Sequence, residues 1–198
     1  MLRPLKINCR LVGLGLLVAI FIESCATTPT NRAYQAPLKE LALCNMRVSN
    51  APATNQRGNI KSFKSHVNLR GVSLALAPVD GCLSSGFGPR SGGAGSLHKG
   101  IDIFTKTPRA IGAAGNGIVD FVGEKRGYGK TVIIRHNKAV TTRYGHLSNF
   151  ARGLKPGQRL RAGDVIGQTG ETGNASAVHL HYEILVNGEQ RNPLRIGN

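Results

Sequence analysis

The sequence predicts an all-β domain, a glycine-rich antiparallel sheet or sandwich, preceded by a signal segment and a mostly irregular linker. Two observations carry the fold class. From about residue 72, apolar runs of roughly four to eight residues recur between Gly, Pro and Asn turns, the texture of short strands. The chain also holds 26 Gly in 198 residues without a Gly-X-Y repeat, which suits tight turns and weakens helix interiors.

Taken in order, residues 1–24 read as an export signal. Arg3, Lys6 and Arg10 form a positive start, twelve apolar residues follow at 11–22, and small residues come next. That run is short for a membrane span and suits the core of a signal peptide. Ile22-Glu23-Ser24-Cys25 resembles the bacterial lipoprotein box, in which the Cys is lipidated. Ile22, Ser24 and Cys25 fit it, whereas Glu23 departs from the usual small residue. Acyl chains on Cys25 would tether the protein to a membrane, and Ala26 carries no acidic inner-membrane retention signal, which favours the outer membrane.

Residues 25–73 read as a tether or linker with a short helix at 38–46, "LKELALCNM". The rest is polar, basic and poorly periodic, as expected of loose structure. Cys44 and Cys82 are the candidate disulfide pair in an oxidising envelope, the alternative being two unpaired thiols. Their spacing contains no CxxC, so a thiolate zinc site has no support.

Residues 74–198 read as the β domain. "TVIIRHNKAVTTRYGHL" predicts a hairpin turning near Asn137-Lys138, and Asn187-Gly188 is a second hairpin signal. In an extended "VHLHYEI", alternation puts His179, His181 and Glu183 on one face and Leu180, Tyr182 and Ile184 on the other. In an extended "LHKGIDI", His98 and Asp102 share a face across Gly100. An imidazole and a carboxylate converging there supply half of a zinc site. In "TRYGHLS", alternation likewise puts Tyr144 and His146 together. His66, in the linker, and His136, at a hairpin tip, are not placed to join them.

These segments in this order, "SSGFGPR…HKGIDI", "YGKTVIIRH…TRYGHLS" and "RAGDVIGQTGETGNASAVHLHYEI", resemble the M23 peptidases, the LytM/lysostaphin-type zinc endopeptidases of peptidoglycan. The resemblance covers about residues 79–194. It implies the LytM (duplicated hybrid motif) type of β fold and one Zn2+ per chain held by His98, Asp102 and His181. His146 and His179 would be the catalytic pair beside a water. The implied reaction is hydrolysis of peptidoglycan peptide cross-links, D-alanyl–diaminopimelate bonds in a diderm envelope. The alternative is a non-catalytic LytM-like activator of a cell-wall amidase. Ala177-Val178 stands where the family usually has Gly-Pro, which touches the groove edge and removes no ligand. Arg90 also matches the family and is read as bracing its loop or meeting a carboxylate. Glu183 is read as orienting a ligand. No HExxH helix is present, so a glutamate-based zincin arrangement is not available.

Charge is consistent with these expectations. Without residues 1–24 the chain keeps 23 basic and 9 acidic side chains, a net charge of +14. An exported cationic protein suits the anionic cell wall or lipid headgroups. Nucleic acid is not an expected partner, given export and the lack of a stacking or zinc-finger pattern. Protein partners are not legible, and the expected location is the periplasmic side of the cell envelope. If Cys25 is the anchor, cells fed labelled fatty acid will incorporate it into the wild-type chain and not into Cys25→Ala.

Overall fold

The computed structural model describes residues 38–90 and 97–197. The signal segment and Cys25 lie outside these residues. The described residues contain strands and turns without an α-helix.

A first hairpin, β1 (His66–Leu69) and β2 (Val72–Ala75), turns through Arg70 and Gly71, both at positive φ. Next come β3 (Cys82–Ser85), β4 (Gly88–Pro89), β5 (Leu97–His98) and β6 (Ile101–Phe104). After β7 (Ala110–Gly112), a meander runs through β8 (Gly117–Lys125), β9 (Gly129–Arg135) and β10 (Val140–Phe150). The chain ends with β11 (Arg159–Leu160), β12 (Val165–Thr169), β13 (His179–Val186) and β14 (Glu189–Arg191). Ten strands form one antiparallel sheet along β11-β8-β9-β10-β13-β6-β3, with β12, β7 and β14 joined at its margins. Both predicted hairpins are present, β9–β10 through residues 136–139 and β13–β14 through Asn187 and Gly188. That last pair has φ of 53° and 82°, the left-handed conformation that an Asn-Gly turn supplies readily.

Central strands follow the alternation read from the sequence. Leu180, Tyr182 and Ile184 are fully buried, as are Ile101 and Ile103 of β6 and Val132 and Ile134 of β9. They close a single core against Leu74, Val79, Leu83 and Ile111. On the opposite face, His181 sits in register with Asp102 on one side and Gly145 on the other. Glu183 likewise faces Arg143 across the strand pair.

The structure corrects three expectations. Residues 38–46 do not form a helix. They are extended, with Leu41 wholly buried and Leu43 bridged to Leu83. The pairing groups along β3 and the Cys44–Cys82 disulfide compete for this backbone and outweigh a weak helical propensity. Nor is 25–73, over its described part, a loose linker. Leu41, Ile60 and Val67 join the core, and the boundary drawn at residue 74 cuts through the first hairpin. Finally, Tyr144 and His146 do not share a face, because β10 shifts register between Tyr144 and Leu147. His146 takes φ 64° there, so Tyr144 enters the core and His146 leaves it, as a bulge allows.

If residues around Leu41 belong to the core, Leu41→Ala will destabilise the protein by about 2–5 kcal/mol in urea unfolding. An external tether would show no change.

Candidate active site

Three side chains converge from neighbouring strands. Asp102 on β6 and His181 on β13 are directly opposed, and His98 closes the group from β5, which pairs with β4 through Gly88. The "LHKGIDI" stretch is not one extended strand, because the backbone bends at Gly100 between β5 and β6. Gly100 is needed for a reason that alternation hides. A Cβ there would lie 2.3 Å from the Tyr182 carbonyl oxygen, so only glycine lets this bend lie against β13.

His98 Nε2 lies 3.1 Å from Asp102 Oδ1 and 3.2 Å from His181 Nδ1. His181 Nδ1 is 2.8 Å from the same Asp102 oxygen. All three residues are buried. The outer nitrogens define the tautomers. His98 Nδ1 donates to the Gly86 carbonyl at 2.7 Å, and His181 Nε2 donates to Glu183 Oε1 at 3.1 Å. Once the inner nitrogens give up their protons, two imidazole lone pairs and a carboxylate oxygen are aimed at one point. Such a set of acceptors fits a cation, and this donor chemistry fits zinc.

The electrostatics agree. Burial alone would raise the Asp102 pKa, but hydrogen bonds from His181 and His98 outweigh it and hold the carboxyl well below its usual range. Burial opposes charge on His181, yet its bonds to Asp102 and Glu183 push the imidazole up to about 9. An imidazole nitrogen facing a carboxylate favours a positive charge at that place, whether a proton or a metal ion.

Two further imidazoles flank this group. His146 and His179 have ring centroids 4.8 Å apart, and His146 lies 5.7 Å from His181. His146 Nδ1 donates to the Thr172 carbonyl and His179 Nδ1 to the Ala177 carbonyl, both at 2.7 Å. Each thus presents Nε2 as the acceptor, and His179 Nε2 is 3.8 Å from Asp102 Oδ1. Burial, helped by the charges of His179 and His181, pushes His146 down to about 4 despite its bond to Thr172. It is consequently neutral at pH 7. The five side chains open on a cleft of about 380 Å3 that Arg90, Lys99, Tyr128 and Asn174 also line. His66 and His136 stay away. His66 is exposed on β1, and His136 bonds the Asn116 carbonyl and the Thr142 hydroxyl.

Arg90 meets a carboxylate, that of Asp102, with Nη2 3.0 Å from Oδ2. Glu183 does more than accept from His181. It also receives Tyr128 Oη at 2.8 Å and Arg143 Nη1 at 2.7 Å, and the Arg143 guanidinium lies over the Tyr128 ring. Sequence reasoning passed over Tyr128 and Arg143. The signal for Arg143 was its place opposite Glu183, which is visible only once the β10–β13 register is known.

A cleft holding an His/Asp/His triad and two further imidazoles that present Nε2, set on an antiparallel glycine-rich sheet, defines a candidate metallopeptidase site. Residues 96–193 match peptidase family M23, and the chain belongs to that family. Over 100 residues it is 41% identical to the DD-carboxypeptidase/endopeptidase Mpg of Neisseria meningitidis, covering 50% of this chain and 23% of that protein. Over 125 residues it is 39% identical to the murein hydrolase activator NlpD of Salmonella dublin, covering 63% of this chain and 31% of that protein. The aligned part thus spans roughly a quarter to a third of these curated relatives. Among solved structures, a zinc-containing peptidase from Vibrio cholerae superposes with a TM-score of 0.56 at 29% identity, over 63% of this chain and 46% of that one.

Removing Glu183 leaves the largely buried Arg143 without its counter-charge. Glu183→Ala will lose about 3–5 kcal/mol of stability in denaturant unfolding, more than its truncated volume explains.

Proposed function

We propose that this chain is a zinc-dependent endopeptidase that hydrolyses peptide cross-links of bacterial peptidoglycan, D-alanyl–diaminopimelate bonds in particular. One observation carries the reading. The acceptor triad and the two flanking Nε2 atoms open on the same cleft, so a metal-holding group and a proton-handling group face one substrate position.

In this reading His98, Asp102 and His181 would hold one Zn2+. When bound, zinc polarises a carbonyl and makes a water nucleophilic near neutral pH. This chain's own residues handle the protons. His146 and His179, each fixed by a backbone carbonyl at Nδ1, share two tasks at Nε2: one accepts the proton of the attacking water, and the other steadies the oxyanion and delivers a proton to the leaving amine. The water oxygen bonds to the carbonyl carbon, the C–N bond breaks, and the water's proton ends on the amine. Arg90 braces Asp102, while Glu183 orients His181. Lys99 adds positive charge at the cleft mouth, which suits an anionic wall polymer.

Residues 1–24 are taken as the export signal and Cys25 as the lipid anchor. The enzyme then works in the periplasm against the wall, held on the outer membrane.

The NlpD likeness supports a second reading, a domain that stimulates a cell-wall amidase without cutting anything itself. The complete set of five cleft side chains favours catalysis.

Purified sacculi digested with wild type, His181→Ala and His146→Ala, followed by muropeptide analysis, separate the two. Wild type is expected to convert cross-linked dimers to monomers, and His146→Ala to be slower by about 10²–10⁴-fold, the range for a proton-transfer group. Equal digestion by all three excludes the enzyme. No cleavage by wild type, but faster digestion by an added amidase, selects the activator.

A further inference from the structure

The segment that precedes the first hairpin ends beside the candidate metal centre. Residues 42–50 run along β3, which closes the pairing path of the large sheet. Leu43 bridges Leu83 and Ser49 bridges Ser85, both in parallel. Three backbone bonds hold the contact: Leu83 N to the Ala42 carbonyl (2.9 Å), Cys44 N to the Leu83 carbonyl (3.0 Å) and Gly86 N to the Ser49 carbonyl (2.8 Å). The Cys44–Cys82 disulfide pins the start of this stretch covalently.

Its far end acts on one peptide group. Asn50, at φ 52°, places Nδ2 3.4 Å from the Gly86 carbonyl oxygen. A Cβ on Gly86 would lie 2.2 Å from the Asn50 carbonyl oxygen, so the two backbones are packed as closely as glycine allows. The Gly86 N–H is taken by Ser49, and the Gly86 carbonyl is the acceptor for His98 Nδ1. Ser85, the next residue back, pairs in register with Asp102. The Ser85 hydroxyl also lies 3.2 Å from His98 Nδ1, but the shorter contact, and the one the arm holds, is the Gly86 peptide.

We propose that residues 42–50, clamped by Cys44–Cys82, are a positioning arm for His98. The arm holds the Gly86 peptide, and the Gly86 carbonyl decides which nitrogen of His98 carries the proton and which faces the cleft. A neutral imidazole has one N–H. With the Gly86 carbonyl in place, that proton stays on Nδ1 and the Nε2 lone pair stays aimed at Asp102 and His181. With the carbonyl displaced, only the longer Ser85 contact remains at Nδ1, the tautomer and ring angle are loosened, and outer partners of this kind commonly govern metal affinity by about 10–100-fold. The arm lies upstream of residues 96–193, the part that matches the family. Its effect on metal affinity rests on the zinc reading above, whereas its effect on the His98 tautomer does not.

The test uses the full chain in two forms, metal-free for imidazole 15N spectra and metal-titrated for zinc affinity against a chelating indicator. The paired variant Cys44→Ser with Cys82→Ser removes the clamp. Asn50→Gly removes the side-chain contact while suiting the left-handed backbone. In the paired variant the His98 signals are expected to move from the Nδ1–H pattern to a mixture, with zinc affinity lower by about tenfold or more. Asn50→Gly is expected to shift both readouts in the same direction by less. The His146 signals, anchored on Thr172, are expected to stay unchanged, which separates positioning from general loosening. A folded paired variant that keeps the Nδ1–H pattern, with zinc affinity within about twofold of wild type, overturns the proposal. If the paired variant does not fold, an Asn50→Gly chain identical to wild type in both readouts overturns it instead. A wild type that shows the His98 pattern but takes up no zinc removes the enzymatic reading and leaves the arm to be judged on the tautomer alone.

Discussion

Four histidines around the cleft each have one ring nitrogen committed to an oxygen of the surrounding structure. Gly86, Thr172 and Ala177 supply backbone carbonyls to His98, His146 and His179, and Glu183 supplies a carboxylate to His181. A neutral imidazole whose outer nitrogen must donate has its inner nitrogen bare. With the imidazoles neutral, the cleft consequently collects four lone pairs and one carboxylate, with Lys99 at its mouth and Arg90 on the outer oxygen of Asp102. Remove the carbonyls and the same residues become ordinary buried histidines with interchangeable tautomers. The chemistry of the cleft depends on backbone oxygens held by strand and loop geometry as much as on the side chains that face it.

The fold supplies those oxygens through its irregularities. Regular pairing of β13 with β6 and β10 brings Asp102 and His181 together. The rest comes from departures. The bend at Gly100 separates His98 from Asp102 in the chain while leaving them neighbours in space. The register shift in β10 turns His146 out of the core, at the point where this strand leaves β13 and continues against β12. The Gly129 and Gly173 backbones approach so closely that a Cβ on Gly173 would lie 2.3 Å from the Gly129 nitrogen, which holds the Thr172 loop beside His146.

Much of this was legible in the sequence. Alternation placed His179, His181 and Glu183 on one face because β13 is long, regular and covered on its other side by apolar residues. Turn chemistry located both hairpins. Alternation failed at Tyr144 and His146, since a bulge is a one-residue event that leaves no periodic trace. It failed at "LHKGIDI" because Gly100 reads equally as a gap or a bend. The arm at 42–50 was missed for a different reason. Its pairing partner lies about forty residues on, in the edge strand β3, and a short segment of mixed polarity carries no pattern that announces so distant a partner. Tyr128 and Arg143 were missed because their value lies in a network around one buried carboxylate, which is a property of register.

The left-handed backbone at His146 sets the catalytic reading against the thermodynamics of the fold. A side chain with a Cβ pays there a conformational penalty that glycine avoids, on the order of 1 kcal/mol, although histidine tolerates this region better than most. Replacing His146 by Gly or Asn removes an acceptor from the cleft and relaxes the main chain in one step. Against that relief stand the buried ring's contacts and its bond to the Thr172 carbonyl, which the replacement would lose. The backbone at this corner would accept a glycine more readily than it accepts His146, so the shape of the domain does not depend on the imidazole that faces the cleft.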